Sequence, residues 1–237
     1  MTAYTAPTRD MQFVINELAE MAEVAALPAF AEQEVGPELV EAVLEEAAKL
    51  ASGVLAPLNH SGDVQGVKIG PKGVIPADGF AKAYQKFVEG GWNGIGCSTD
   101  HGGQGLPELI NTATQEMWNS ANMSFALCPL LNAGAIEAIS QAGSEQQKAL
   151  YLPKMISGEW TGTMNLTESQ AGSDLSAVRA RAVPENDHYR IFGQKIFITW
   201  GEHDMTENTI HLVLARTPDA PEGVKGISLF IVPKFLV

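Results

Sequence analysis

Basic residues are scarce in this chain of 237 residues: 15 Lys and Arg stand against 28 Asp and Glu, a formal charge of −13. That balance repels nucleic acid and anionic membranes, so polyanion binding drops out as a function class. Cysteine is nearly absent. Cys97 and Cys128 show no CxxC or Cys/His spacing and are too few for a disulfide framework, which reads as reduced thiols in a cytosolic protein. The five histidines, His60, His101, His188, His203 and His211, form no HxxxH or HxH pair, so no metal site is expected. The N-terminus lacks a basic stretch with an apolar run behind it, and no later run reads as long enough to span a membrane. The chain therefore reads as soluble and cytoplasmic.

What is present is ordinary globular composition, 45% hydrophobic and 18% charged, enough for a real core. The acidic excess is concentrated early, since residues 1–50 carry ten Asp/Glu against Arg9 and Lys49. A run of this kind is an ordinary solvated face.

Apolar residues recurring at three and four predict helices through most of the first two thirds. Asp10 is expected to cap the first, with Phe13, Val14, Leu18, Met21 and Ala25 as its apolar stripe and Pro28 as its stop. A second begins at Pro37 after Gly36 and is expected to end at Pro57. Asn59 to Gly79, rich in glycine, reads as a hairpin-like excursion or loop. Asp78 is the expected cap of a helix through Phe80, Tyr84 and Phe87 that stops at Gly90-Gly91. Asp100 to Gly105 is glycine-rich but lacks the third glycine of GxGxxG and the Lys-Ser/Thr of a P-loop, and no strand precedes it. Further helices are expected from Pro107 through Trp118 and from Leu130 to Ala142, and Ser144 with Gln147 makes a capping box for another.

From Trp160 the period changes to two. Strands are expected at Trp160 to Thr167, Ala177 to Val183, His188 to Phe192, Lys195 to Trp200, Ile210 to Ala215 and Gly226 to Val232, with a turn at Pro184 to Asp187. The fold class is α+β: a helical domain over 1–158 and a β-domain over 159–237. The chain stops in apolar sequence directly after a strand. A further helical domain is expected to follow.

Two stretches carry chemistry. Met164 to Asp174, MNLTESQAGSD, is a strand end that breaks into a turn of small residues, where free backbone N–H groups and hydroxyls can face an anionic or carbonyl-bearing ligand. About 25 residues on comes Gly193 to Gly201, GQKIFITWG. The first resembles the flavin signature of the acyl-CoA dehydrogenase family, an aromatic-x-x-Thr-Glu strand end entering a Gly-Ala-Gly-Ser-Asp turn. The second resembles the family's Gly-x-Lys-x-Trp-Ile-Thr. With both in the expected order, the chain is identified as a member of that family, and the Ile198 to Asp204 run resembles the subgroup that includes 3-methylmercaptopropionyl-CoA dehydrogenase. The departures are Met164 for the aromatic, Ser169-Gln170 for Pro-Gly and Phe197 for Trp, which keep apolar character but alter shape.

The resemblance implies an acyl-CoA dehydrogenase fold whose C-terminal helical domain is absent from this chain. It also implies FAD, an acyl-CoA substrate oxidised to the 2-enoyl thioester, an electron-transfer flavoprotein as acceptor, and a homodimer or homotetramer. Met164, Asn165, Leu166 and Thr167 would line the flavin, with Gly172 and Ser173 in the turn and Phe197, Ile198 and Thr199 at the ring and its N5 edge. Ser173 would also meet the substrate. Glu168 matches the motif's structural acid and not the base, so no catalytic residue is assigned here, and the fragment alone is expected to be inactive. A flavin oxidase or monooxygenase of the same fold, and a catalytically silent scaffold, stay open as alternatives.

Overall fold

Extended Gly36 and Pro37 at the first helical position start the first long helix, and a computed structural model describes the chain over residues 4–30, 33–71 and 73–237. Before that helix, the chain is helical at α1 (Thr8–Phe13) and α2 (Met21–Ala25), joined by a π-helical turn and by Glu20 in the left-handed region. Pro7 precedes α1 and Asp10 lies inside it, so Asp10 is not its cap. The expected stripe is buried only in part. Met11, Ile15 and Met21 are buried, whereas Phe13, Val14 and Leu18 face solvent.

In α3 (Pro37–Leu50) the buried face is Val40, Leu44, Ala47 and Leu50. Pro57 does not end it. The backbone widens into a π turn over Ala51–Leu55 and continues as α4 (Ala56–Gln65), with Pro57 in the first turn, where its missing N–H costs little. The excursion after Asn59 is thus half helix. It then forms a short antiparallel hairpin of β1 (Lys68–Gly70) and β2 (Gly73–Ile75).

Gly79, at φ 91°, is the residue before α5 (Phe80–Glu89), and the expected cap Asp78 instead donates its backbone N–H to Gln65 Oε1 at 3.0 Å. The helix ends at Gly90-Gly91 as its sequence indicates. The Asp100 to Gly105 loop spends amides on the segment just before it: Gln104 N–H donates to Gly94 and Gly105 N–H to Cys97. A Cβ on Gly103 would lie 2.1 Å from the Cys97 carbonyl, so the glycine serves close backbone contact rather than a nucleotide.

The two helices expected between Pro107 and Ala142 are halves of one kinked element, α6 (Glu108–Ala142), with Asn122 at φ −160° and ψ 87°. Asn122 Oδ1 accepts from Phe125 N–H at 3.1 Å and caps the second half, while its Nδ2 donates to the Leu55 carbonyl in the π turn at 3.1 Å. By length and composition α6 could cross a membrane, contrary to the sequence reading. Here it is a core helix, burying Ile110, Met117, Phe125, Ala135 and Ile139. The Ser144–Gln147 box caps α7 (Glu145–Ser157) as read.

Next come β3 (Trp160–Asn165), the β4 (Arg181–Glu185) and β5 (His188–Phe192) hairpin, β6 (Asn208–Ala215) and β7 (Ser228–Pro233). The three-stranded sheet has the order β3-β6-β7, with β3 parallel to β6 and β7 antiparallel to it. Gly162 lets β3 lie on α6, since a Cβ there would be 2.4 Å from that of Ala135. Ile139, Leu152, Met155, Trp160, Ile210 and Leu212 form one buried cluster, so helices and sheet share a core.

One expected strand fails and another starts late. Lys195 to Trp200 is loop, because Phe197 and Trp200 are left-handed, at φ 57° and 52°. Ala177 to Val183 becomes a strand only at Arg181, because the Arg179 and Ala180 amides are taken by a buried carboxylate. The turn after β4 narrows to Asn186-Asp187, with Asn186 left-handed and Pro184 inside the strand.

Candidate functional site

That carboxylate is Glu168. Its two oxygens accept from Lys195 Nζ at 2.8 Å, Ala180 N–H at 3.0 Å, Arg179 N–H at 2.8 Å and Gln170 Nε2 at 2.6 Å. Burial pushes the carboxyl up, but the Lys195 ammonium and the three N–H donors outweigh it and hold it down at about 2. A carboxylate so bound is a cross-link.

The cross-link joins the two sequence motifs. Lys195 also donates to the Leu166 carbonyl at 3.0 Å, and Ile196 N–H donates to the Thr167 carbonyl at 3.0 Å. Met164, Asn165, Leu166 and Thr167 at the end of β3 are thereby laid beside Phe197, Ile198 and Thr199, which the sequence separates by about 30 positions. The result is an apolar wall facing outward: Phe197 is 89% exposed and Met164 39% exposed. Thr199 is exposed beside them, while Asn165, Leu166, Thr167 and Ile198 are half-buried.

The far end of the loop is held by Trp200, whose Nε1 donates to the Ser124 carbonyl on α6 at 2.9 Å and whose ring stacks on Phe80, with centroids 6.1 Å apart. Behind it His203 is buried. Its Nδ1 accepts from Met205 N–H at 3.2 Å, so the proton is on Nε2, which lies 3.0 Å from Thr161 Oγ1 on β3. Burial pushes this imidazole down to about 4, so it is neutral at physiological pH. Burial also lowers His211, which is 2.7 Å from Thr163 Oγ1. Both rings brace β3 from the β6 side.

The Glu168 to Ala171 turn closes on itself through two backbone bonds of 3.0 Å. Gly172 and Ser173 follow, exposed. Asp174, and not Ser173, caps the next turn, accepting from Ser176 N–H at 2.9 Å and from the Ser176 hydroxyl, which lowers its carboxyl. Ser173 is thus exposed and not spent as a cap. A Cβ on Gly172 would have nothing within 4 Å and its φ is not positive, so neither packing nor backbone conformation of the chain calls for glycine there.

These features fit a flat, partly polar cofactor such as FAD. An aromatic ring exposed on a backbone locked from behind is a stacking face, and Gly172 leaves open space next to exposed Ser173. The sequence reading named these residues but not their supports: Lys195 as the tie to Glu168, Trp200 and Asn122 as the link to the helices, and His203 and His211 behind β3. Lys195 alone carried a signal, as the lysine of the second motif.

Residues 37–159 match the family model described as acyl-CoA dehydrogenase, N-terminal domain, and residues 163–236 match that of the middle domain. The chain is 52% identical over 234 residues to 3-methylmercaptopropionyl-CoA dehydrogenase of Ruegeria pomeroyi, covering 98% of this chain and 40% of the relative. An acyl-CoA dehydrogenase from Geobacillus kaustophilus superposes with a TM-score of 0.69 at 25% identity, over 83% of this chain and 48% of that one. A structure described as the electron transferring flavoprotein of Acidaminococcus fermentans superposes with a TM-score of 0.68 at 29% identity, over 82% and 47%. The chain spans about 40% of the length of the curated relatives it matches.

Proposed function

The chain belongs to the acyl-CoA dehydrogenase family, and we propose that the protein it forms oxidises an acyl-CoA thioester to the 2-enoyl-CoA with FAD, passing the electrons to an electron-transfer flavoprotein. The observation that carries this reading is the Lys195–Glu168 bond, which turns two separate loops into one outward wall of Met164, Leu166, Thr167, Phe197 and Thr199. FAD, when bound, supplies the hydride acceptor. This chain's part is to present it. Phe197 and Met164 offer apolar contact, the Thr167 and Thr199 hydroxyls offer hydrogen bonds at its edge, and Gly172 leaves room. In this reading Ser173 donates to the cofactor or to the thioester substrate as a turn hydroxyl, with no histidine near it in sequence to make it a nucleophile.

The same reading has Glu168 remain ionised throughout, because four donors stabilise its charge, so the proton leaving the substrate goes to a base other than Glu168. It also has the protein assemble as a homodimer or homotetramer in the cytoplasm. The test uses protein expressed from its complete reading frame. Bound FAD that bleaches on anaerobic addition of an acyl-CoA, and is reoxidised by an electron-transfer flavoprotein, supports the proposal. Bound FAD that no acyl-CoA bleaches would overturn it. Rapid reoxidation by oxygen in place of the flavoprotein would replace it with an oxidase.

A further inference from the structure

Met164 stands where the apolar face of β3 loses its cover. Side chains alternate across a strand, so Met164 shares a face with Trp160 and Gly162. Those two are buried, Gly162 close against Ala135 of α6, whereas Met164 is 39% exposed. We propose that Met164 is a site of reversible oxidation: hydrogen peroxide converts its thioether to the sulfoxide while the cofactor is absent, and the sulfoxide weakens FAD binding until a methionine sulfoxide reductase removes the oxygen. The inference rests on the cofactor part of the reading above, in which Met164 offers the flavin apolar contact.

Three observations carry it. Access selects the residue: among the described residues Met11, Met21, Met117 and Met155 are buried, Met205 is half-buried against the helical core, and only Met123 and Met164 are exposed. Place gives the oxidation a consequence. Met123 lies on α6 next to the kink, whereas Met164 belongs with Phe197 to the apolar part of the wall. The backbone, lastly, is fixed on both sides. Met164 pairs with Leu212 of β6, and the Leu166 carbonyl two positions on is tied to Lys195, so the wall has no freedom to turn an added oxygen away.

The step balances. The peroxide O–O bond breaks, one oxygen bonds to sulfur and the other leaves as water, and the sulfur gives up the two electrons that the peroxide gains. The product is polar and chiral and sets an acceptor oxygen on a surface that served for apolar contact. A cofactor ring laid over it would strip that oxygen of its water. The cysteines compete poorly. Burial pushes the Cys97 thiol up to about 11 and also raises that of Cys128, so both stay protonated at neutral pH.

The experiment uses protein from its complete reading frame, stripped of FAD or loaded with it, and dilute hydrogen peroxide. Dithiothreitol added afterwards returns oxidised cysteine to the thiol and leaves the sulfoxide in place. Peptide mass spectrometry should find one added oxygen on both Met123 and Met164 in the stripped protein, and on Met123 alone in the loaded protein. The oxidised, stripped protein should bind FAD roughly tenfold more weakly, and methionine sulfoxide reductase should restore the affinity. Met123→Leu should keep this response, and Met164→Leu, whatever its starting affinity, should bind FAD equally before and after peroxide. The wild-type mass spectra carry the test should the Met164 variant not fold. Met164 left unoxidised in the stripped protein, oxidised alike in both forms, or oxidised with no change in FAD affinity overturns the proposal. A protein that shows the protection but oxidises no acyl-CoA upholds this site and overturns the dehydrogenase reading. One that binds no FAD overturns both.

Discussion

The indole N–H of Trp200 donates to the carbonyl of Ser124 at 2.9 Å, bridging 76 residues of chain. Ser124 lies two positions past the kink at Asn122, so the loop that presents Thr199 is moored to the capped start of the second half of α6. Trp200→Phe keeps a ring on Phe80 but removes the bond. We expect a loss of about 1 kcal/mol in urea unfolding, typical of one hydrogen bond. Because the mooring sets where Thr199 sits, FAD affinity should also fall. A variant with wild-type stability and wild-type FAD affinity would show that the bond moors nothing.

Removing the cross-link should cost more. Lys195→Met leaves the Glu168 carboxylate buried against two amides and Gln170 without its cation, and breaking a buried pair from one side costs about 3–5 kcal/mol. In the wild type Glu168 is held at about 2, below its unfolded value. Its contribution is therefore complete above that unfolded value and is lost as pH falls through the range down to about 2. Without Lys195 the carboxyl rises, so acid unfolding should begin at a higher pH. Chemical unfolding of both proteins along an acid series measures this directly.

His203 adds a second acid sensitivity in a different window. Its folded value of about 4 lies below the ordinary 6.5, so the unfolded chain binds the extra proton between those limits. Stability from this group is full above about 6.5 and declines as pH falls to about 4, by about 3 kcal/mol in all. His203→Gln, which can keep a donor toward Thr161, should flatten the stability profile in that window only. A profile with the wild-type slope there would assign the sensitivity to other groups.

Gly172→Ala separates folding from cofactor binding. With no atom within 4 Å of the added methyl and no positive φ, thermal stability should stay within about 0.5 kcal/mol of wild type. FAD affinity should drop at least several-fold if the open space is where the cofactor approaches. Equal FAD binding by calorimetry in both proteins would move the cofactor away from this turn.

Thr199→Val tests the hydroxyl at the other end of the wall. Thr199 is exposed and Phe197, two positions earlier, supplies the stacking surface, so losing one hydroxyl should lower the rate of flavin reduction more than it lowers FAD retention. Stopped-flow reduction by acyl-CoA gives the first quantity and equilibrium dialysis the second. Reduction at the wild-type rate would dismiss the role.

Local sequence was enough for whatever depends on neighbours in the chain. Pro37 after Gly36, the Ser144–Gln147 box, the Gly90-Gly91 stop and the change of period at Trp160 each state a backbone preference within one or two turns, and each element is where its signal points. The two motifs likewise named the residues of the wall. Tertiary structure decided what local preference left open. Pro57 reads as a stop, yet the π turn before it passes the helix on, and the Leu55 carbonyl in that turn accepts from Asn122 of a distant helix. Lys195 to Trp200 has the alternation of a strand, but its lysine and amide bond to Glu168, Leu166 and Thr167, and those long-range bonds pull Phe197 and Trp200 out of any ladder. A hydrogen bond satisfied 27 or 76 positions away leaves no periodic trace, so the wall's composition could be read along the chain and its shape could not.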